Sequence, residues 1–187
     1  MLLSIVTYGH PILRKKGAKI DRITPEIRQL IEDMLETMHA AKGVGLAAQQ
    51  VGKALQLAVI DVRGVTDRPS SLHLASQPSN VDDYMPVVLI NPEISPLGPP
   101  QEGPEGCLSF PEIYNDVCRP ESIQVKTLNR NGEVTEFQCG GLLSRAIQHE
   151  TDHLNGILFI DRMTREKKDE IRPDLDKLQA ITKAGLK

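Results

Sequence analysis

Tryptophan is absent from this chain of 187 residues, and tyrosine and phenylalanine number three each. So few rings leave no platform on which bases could stack, and a net charge of -3 gives no broad basic surface, so direct sequence-specific nucleic-acid binding is excluded. No apolar run approaches the roughly 20 residues of a membrane span. Residues 2–6 are too short for the apolar part of a secretory signal, and no arginine-rich transit extension precedes them, so a bacterial-type cytoplasmic protein is expected. Cysteine is scarce as well. Cys107, Cys118 and Cys139 are an odd count without paired spacing, which argues against a disulfide framework and for reduced, intracellular thiols. Cys118 and Cys139 read as small buried apolar residues. The length suits a single domain, 1–187, with enough chain to bury a core.

Against that plain background stands one pattern, His149-Glu150-Thr151-Asp152-His153. Residues four apart share a helical face about 6 Å apart along the axis, so both imidazoles can reach one ion, with Glu150 beside the water that such an ion activates. The same pattern can also arise from histidines that merely cap or pack a helix, so the surroundings must decide. Leu142, Leu143, Ala146, Ile147 and Leu154 predict a helix over 142–154, stopped at Asn155-Gly156. The motif has the helical setting it requires.

A hydrolytic metal site commonly takes three protein ligands and keeps one position for water. The metzincin continuation H-x-x-G-x-x-H reaches Gly156 but meets Phe159 where its last histidine should stand. Glu166 or Glu170 could serve a thermolysin-like arrangement, yet both lie in a mixed-charge run that reads as solvated surface. Upstream, Glu105-Gly106-Cys107-Leu108-Ser109 places a thiol in a Gly- and Pro-rich segment whose backbone can approach a site closely. A third segment, Gly43-Val44-Gly45-Leu46-Ala47-Ala48-Gln49-Gln50, follows a helix whose last turn holds His39 and Lys42. Gly43 suits a helix C-cap. The amide of Gln50 can donate to the oxyanion that forms when water adds to a carbonyl.

Together the three segments resemble the peptide deformylase family, whose hallmarks G-x-G-L-A-A-x-Q, E-G-C-L-S and H-E-x-D-H occur in this order and are matched at every defining position. The likeness extends through Gly9-His10-Pro11-Ile12-Leu13-Arg14 and residues 154–161, and covers most of the chain between Ile5 and Thr164. The resemblance implies Cys107, His149 and His153 as ligands of one divalent ion, Fe(II) in the cell, with Zn, Ni or Co in purified protein. It implies Glu150 as general acid and base, with Gln50 and the backbone N–H of Leu108 as the oxyanion hole. The substrate would be an N-formylmethionyl nascent peptide, laid as an added strand against Val44, Gly45 and Gly106, and the product formate. Arg119 would pair with Asp152 behind the ligands; the plainer alternative is a surface ion pair worth at most about 1 kcal/mol. In some members of the family a C-terminal helix contacts the ribosome.

Three features depart from the best-known family pattern. Tyr114 stands where some members carry an arginine. Arg145, one helical turn before His149, either borders the methionine pocket with its stem or points its charge to solvent. Residues 64–86 form a Ser-, Pro- and Asp-rich connection, expected as a mobile, disordered surface insertion, with a lid or partner contact through Leu72, His73, Leu74 and Tyr84 as the alternative.

For the fold, Thr24 and Pro25 open a predicted helix whose Ile27, Leu30, Ile31, Met34, Leu35 and Met38 share a face. Strands are predicted over 55–62, 87–90, 122–128 and 133–138, the last two joined by a hairpin at Asn131-Gly132. A helical tail from about 164, alternating in charge and interrupted by Pro173, completes the chain. The expected class is α+β, with mainly antiparallel sheets packed around a central metal-binding helix.

Overall fold

The computed structural model describes residues 1–186. Helix α1, Pro25–Ala40, starts where Thr24 caps it: the threonine hydroxyl accepts from the Ile27 N–H at 3.2 Å, and Pro25 occupies the first turn, where its missing N–H costs nothing. Its Ile31, Met34, Leu35 and Met38 are buried against strands β1, Gly45–Ala47, and β2, Leu57–Ile60. Helix α3, Gly141–Leu154, is buried along nearly its whole length. So encased a helix needs partners on every side, and it finds them in β1, β2, β3 (Ser70–Leu74), β7 (Phe110–Pro120), β8 (Ser122–Leu128) and β9 (Val134–Gly140).

The larger sheet has the order β1-β2-β5-β8-β9-β3-β4, where β5 is Val87–Pro96 and β4 is Gln77–Pro78. A second sheet pairs β6, Pro100–Cys107, with β7, and every strand pairing in both sheets is antiparallel. The hairpin from β8 to β9 turns at Gly132, whose φ is +82°, with the Asn129 side chain accepting from the N–H groups of Asn131 and Glu133. Strand β5 runs six residues beyond its predicted end because a bulge at Asn91, φ +51°, lets it resume pairing at Glu93. The architecture is the expected α+β, with helix α3 at its centre.

Several expectations are corrected. Residues 100–107 carry two prolines and two glycines and lie outside the predicted strands, yet they form β6; a strand paired on one side only tolerates proline. Within 64–86, regular structure replaces the disordered excursion: β3 joins the sheet edge beside β9, short helix α2 spans Val81–Tyr84, and Leu72 is buried with Leu74 and Tyr84 packed against the same core. Pro173 does not interrupt the C-terminal helix, because α4 is continuous over Arg165–Gly185. Burial of Ile171 and Leu175 on either side of the proline, against the core beneath β7, offsets the lost hydrogen bond. Cys139 is buried as expected, whereas Cys118 is exposed. Strand alternation in β7 turns Val117 and Arg119 inward and Cys118 out.

Candidate metal centre

Three elements converge on one spot. Helix α3 presents His149 and His153 on one face, their rings 5.1 Å apart, and the end of β6 delivers Cys107. The register irregularity between Gly106 and Cys107 takes the cysteine out of the regular ladder, where it can turn toward the helix. One ligand atom from each of Cys107, His149 and His153 lies within 4.8 Å of the other two, and the sulfur is 3.3 Å from His153 Nε2. Cys107 thus stands with the two histidines, as the resemblance implied, in a group that could hold a metal ion.

The donor set fits a divalent ion. His149 uses Nδ1 on the carboxylate of Glu105 at 2.9 Å, which leaves Nε2 for the cluster. Burial, together with the nearby His149, holds His153 well below the ordinary histidine range, so it stays neutral, as a ligand imidazole must. Burial pushes His149 down too, but its hydrogen bonds to Cys107 and Glu105 prevail and raise it well above the ordinary value. A cation entering the cluster would therefore displace a proton from His149.

Glu105 is the residue that the sequence reading left without a role. Its Oε1 accepts from His149 and from Arg119 Nη2 at 3.0 Å, while Oε2 accepts from Arg119 Nε at 2.6 Å and Arg145 Nη1 at 2.8 Å. Burial raises its pKa, yet the His149 and Arg119 hydrogen bonds outweigh that and hold the carboxyl well below its usual range. The signal was an acid only two residues before Cys107, close enough in the chain to reach the same pair of histidines.

Arg119 also donates from Nη1 to Asp152 Oδ2 at 2.9 Å, and its side chain is only 4% exposed, so the surface-pair alternative is rejected. Arg162 closes the far side of Asp152. For Arg145, neither alternative holds in full: its stem borders the cleft, but its charge is buried on Glu105 and on the carbonyls of Val117 and Gln101, each at 2.8 Å. Tyr114 is exposed at the rim, its ring so close to Gly106 that a side chain there would collide with it.

Glu150 occupies the cleft wall beside the cluster. It is buried, its Oε2 has no hydrogen-bond partner among the described residues, and burial raises its pKa to about 7, partly countered by His149. Gln50 follows β1 in a turn of 3-10 helix, with its Oε1 accepting from the Ala47 N–H at 2.9 Å. That bond fixes which end of the amide faces the site: Nε2 lies 3.4 Å from the Cys107 sulfur and 3.2 Å from Ser109 Oγ. Val44, Gly45, Gly106 and Leu108 line the same cleft, a cavity of about 490 Å³ that also reaches His149 and Glu150. Leu142 and Ala146 of α3 give it an apolar wall.

Comparison with known proteins points the same way. A family model described as polypeptide deformylase matches residues 2–169. The chain is 50% identical to a peptide deformylase of Methylacidiphilum infernorum, covering 96% of this chain and 94% of that one, and 45% identical to one of Opitutus terrae over 100% and 98%. The crystal structure of a peptide deformylase from Legionella pneumophila matches with a TM-score of 0.81 at 36% identity, over 97% of each chain.

Proposed function

The chain belongs to the peptide deformylase family, and from that premise we propose how its residues divide the work of a metal-dependent hydrolase that removes the N-formyl group from the N-terminal methionine of newly made polypeptides, releasing formate. The observation that carries the reading is the carboxylate of Glu150, buried and with one oxygen unpartnered, beside three ligand atoms that can share one ion.

Cys107, His149 and His153 would hold a divalent ion, which supplies Lewis acidity and brings the pKa of water toward neutrality. A thiolate with two imidazoles accepts Fe(II), our assignment for the cell, and equally Zn, Ni or Co in purified protein. Glu150 takes the proton of the attacking water and later gives it to the departing amide nitrogen; a pKa raised by burial to about 7 suits both tasks. The Gln50 amide and the Leu108 N–H receive the negative charge that develops on the formyl oxygen. The peptide lies as an extra strand along Val44, Gly45 and Gly106, so main-chain hydrogen bonds bind it whatever follows methionine. Val44, Leu142 and Ala146 receive the methionine side chain. Glu105 keeps His149 in place, and Arg119 ties that carboxylate to Asp152 of helix α3.

Formate release from formyl-Met-Ala-Ser, measured beside cleavage of the unformylated peptide, tests this function. Formate alone supports it; cleavage of the unformylated chain would make the protein a general metalloprotease, and neither product would leave a metal-binding scaffold. No helix among the described residues is long and apolar enough to cross a membrane. We assign the cytoplasm, where formylated chains emerge, as the site of action, and helix α4 as the surface for transient ribosome contact. Absence of the protein from a ribosome pellet removes that last assignment.

A further inference from the structure

A second cavity, of about 440 Å³, adjoins the cleft. Four residues line both: Arg68, Pro104, Leu142 and Arg145. They are the partition between the two spaces, and they come from three different parts of the fold. Leu142 and Arg145 belong to the buried helix α3, and Arg145 is pinned by Glu105, Val117 and Gln101. Pro104 belongs to β6. Arg68 lies in the connection between β2 and β3, is half-buried, and among the described residues its guanidinium makes one hydrogen bond, to the Pro104 carbonyl at 3.1 Å.

Building on the deformylase reading, we propose that the Arg68–Pro104 bridge ends the methionine pocket and that Arg68 sets the longest side chain accepted beside the formyl group. Three of the four wall residues are fixed by the sheet or the helix, whereas Arg68 is held by a single hydrogen bond in reach of water, which competes for both partners. It is therefore the yielding part of the wall. Beyond it the space is lined by Asp67, Ser70, Ser71, Gln101 and Glu102 beside Pro69 and Pro120, so a side chain passing through gains room but less apolar contact than in the cleft. Arg68 thus acts by exclusion, the second way in which a site discriminates.

The test is a series of formylated tripeptides in which methionine is replaced by norleucine and by unbranched homologues lengthened by two and by four methylenes. The readout is the ratio of kcat/KM between norleucine and the longest homologue, taken within each variant so that any general loss cancels. Arg68→Ala should narrow the ratio by roughly tenfold or more, the low end of what a pocket wall achieves, with Arg68→Lys in between. If the alanine variant does not fold, the lysine variant carries the comparison alone. An unchanged ratio in the variants overturns the assignment of Arg68 while leaving the deformylase reading intact; failure of the unmodified protein to release formate from formyl-Met-Ala-Ser overturns the reading on which it rests.

Discussion

Glu150 rests against the bare Cα of Gly45 so closely that a methyl group on Gly45 would stand 2.5 Å from its Oε1. The two residues come from β1 and α3, and Gly45 is held in register opposite Ile60 of β2, so neither backbone can retreat. Gly45→Ala should therefore push the carboxylate aside while the three ligands keep their places. Turnover of formyl-Met-Ala-Ser should fall on the order of a hundredfold, the cost of misplacing a reacting group by about 1 Å. Metal content by elemental analysis should not change. Equal loss of metal and activity would mean that Gly45 supports the ligands instead.

Glu105 makes a different prediction. Its carboxylate joins two buried arginines to His149, so Glu105→Gln leaves the charges of Arg119 and Arg145 short of a partner in the interior. Breaking a buried ion network from one side costs about 3–5 kcal/mol, and loss of the partner behind a ligand histidine weakens metal binding roughly 10- to 100-fold. Denaturant unfolding of the metal-free protein and competition with a chelator measure the two effects separately. Unaltered chelator competition would show that His149 is positioned without Glu105.

These two residues also mark how far the sequence could be read. Helices α1 and α3 were legible because their signals are local: a cap at Thr24, a stop at Asn155-Gly156 and an apolar stripe between. The cluster of Cys107, His149 and His153 was legible because a residue type and its spacing carry the chemistry. Strands β6 and β7 were not, because their pairing is the only thing that makes a Pro- and Gly-rich segment extended, and pairing is invisible to composition. Once β6 is missed, the Glu105 side chain cannot be aimed at His149, and the buried charge of Arg145 has no acceptor to be assigned to. The edge strand β3 was hidden for the same reason: Leu72 gains its burial from a neighbour, β9, that lies far along the chain.

Asp61 should govern part of the stability in acid. It follows β2, its N–H donates to the Val44 carbonyl at 2.9 Å, and its buried carboxylate is gripped by Arg63 and His39. Burial raises its pKa, but the hydrogen bonds from Arg63 and His39 prevail and bring it down to about 2. A carboxyl lowered from about 3.9 in the unfolded chain stabilises the fold above that value, and the contribution is lost as pH falls through about 2. Asp61→Asn should lower stability at neutral pH and flatten its decline between about pH 4 and 2, so that the two proteins converge in strong acid. Denaturant midpoints taken across that range give the answer, and parallel curves would exclude Asp61.

The division of labour between ligand and base can be separated by two substitutions. Glu150 is adjacent in sequence to His149 but is not one of the three residues whose ligand atoms cluster, and its buried Oε2 has no hydrogen-bond partner among the described residues. Glu150→Ala should then keep the ion and lose turnover by about 10²–10⁴-fold, the usual contribution of a positioned proton carrier. Cys107→Ala removes the only sulfur among the three ligands and should lose the ion with the activity. Elemental analysis of both proteins after anaerobic purification, beside formate release, reads the two outcomes at once. Full activity in Glu150→Ala would pass the proton to some other group, and metal retained at full occupancy in Cys107→Ala would break the link between β6 and the helix on which the site is built.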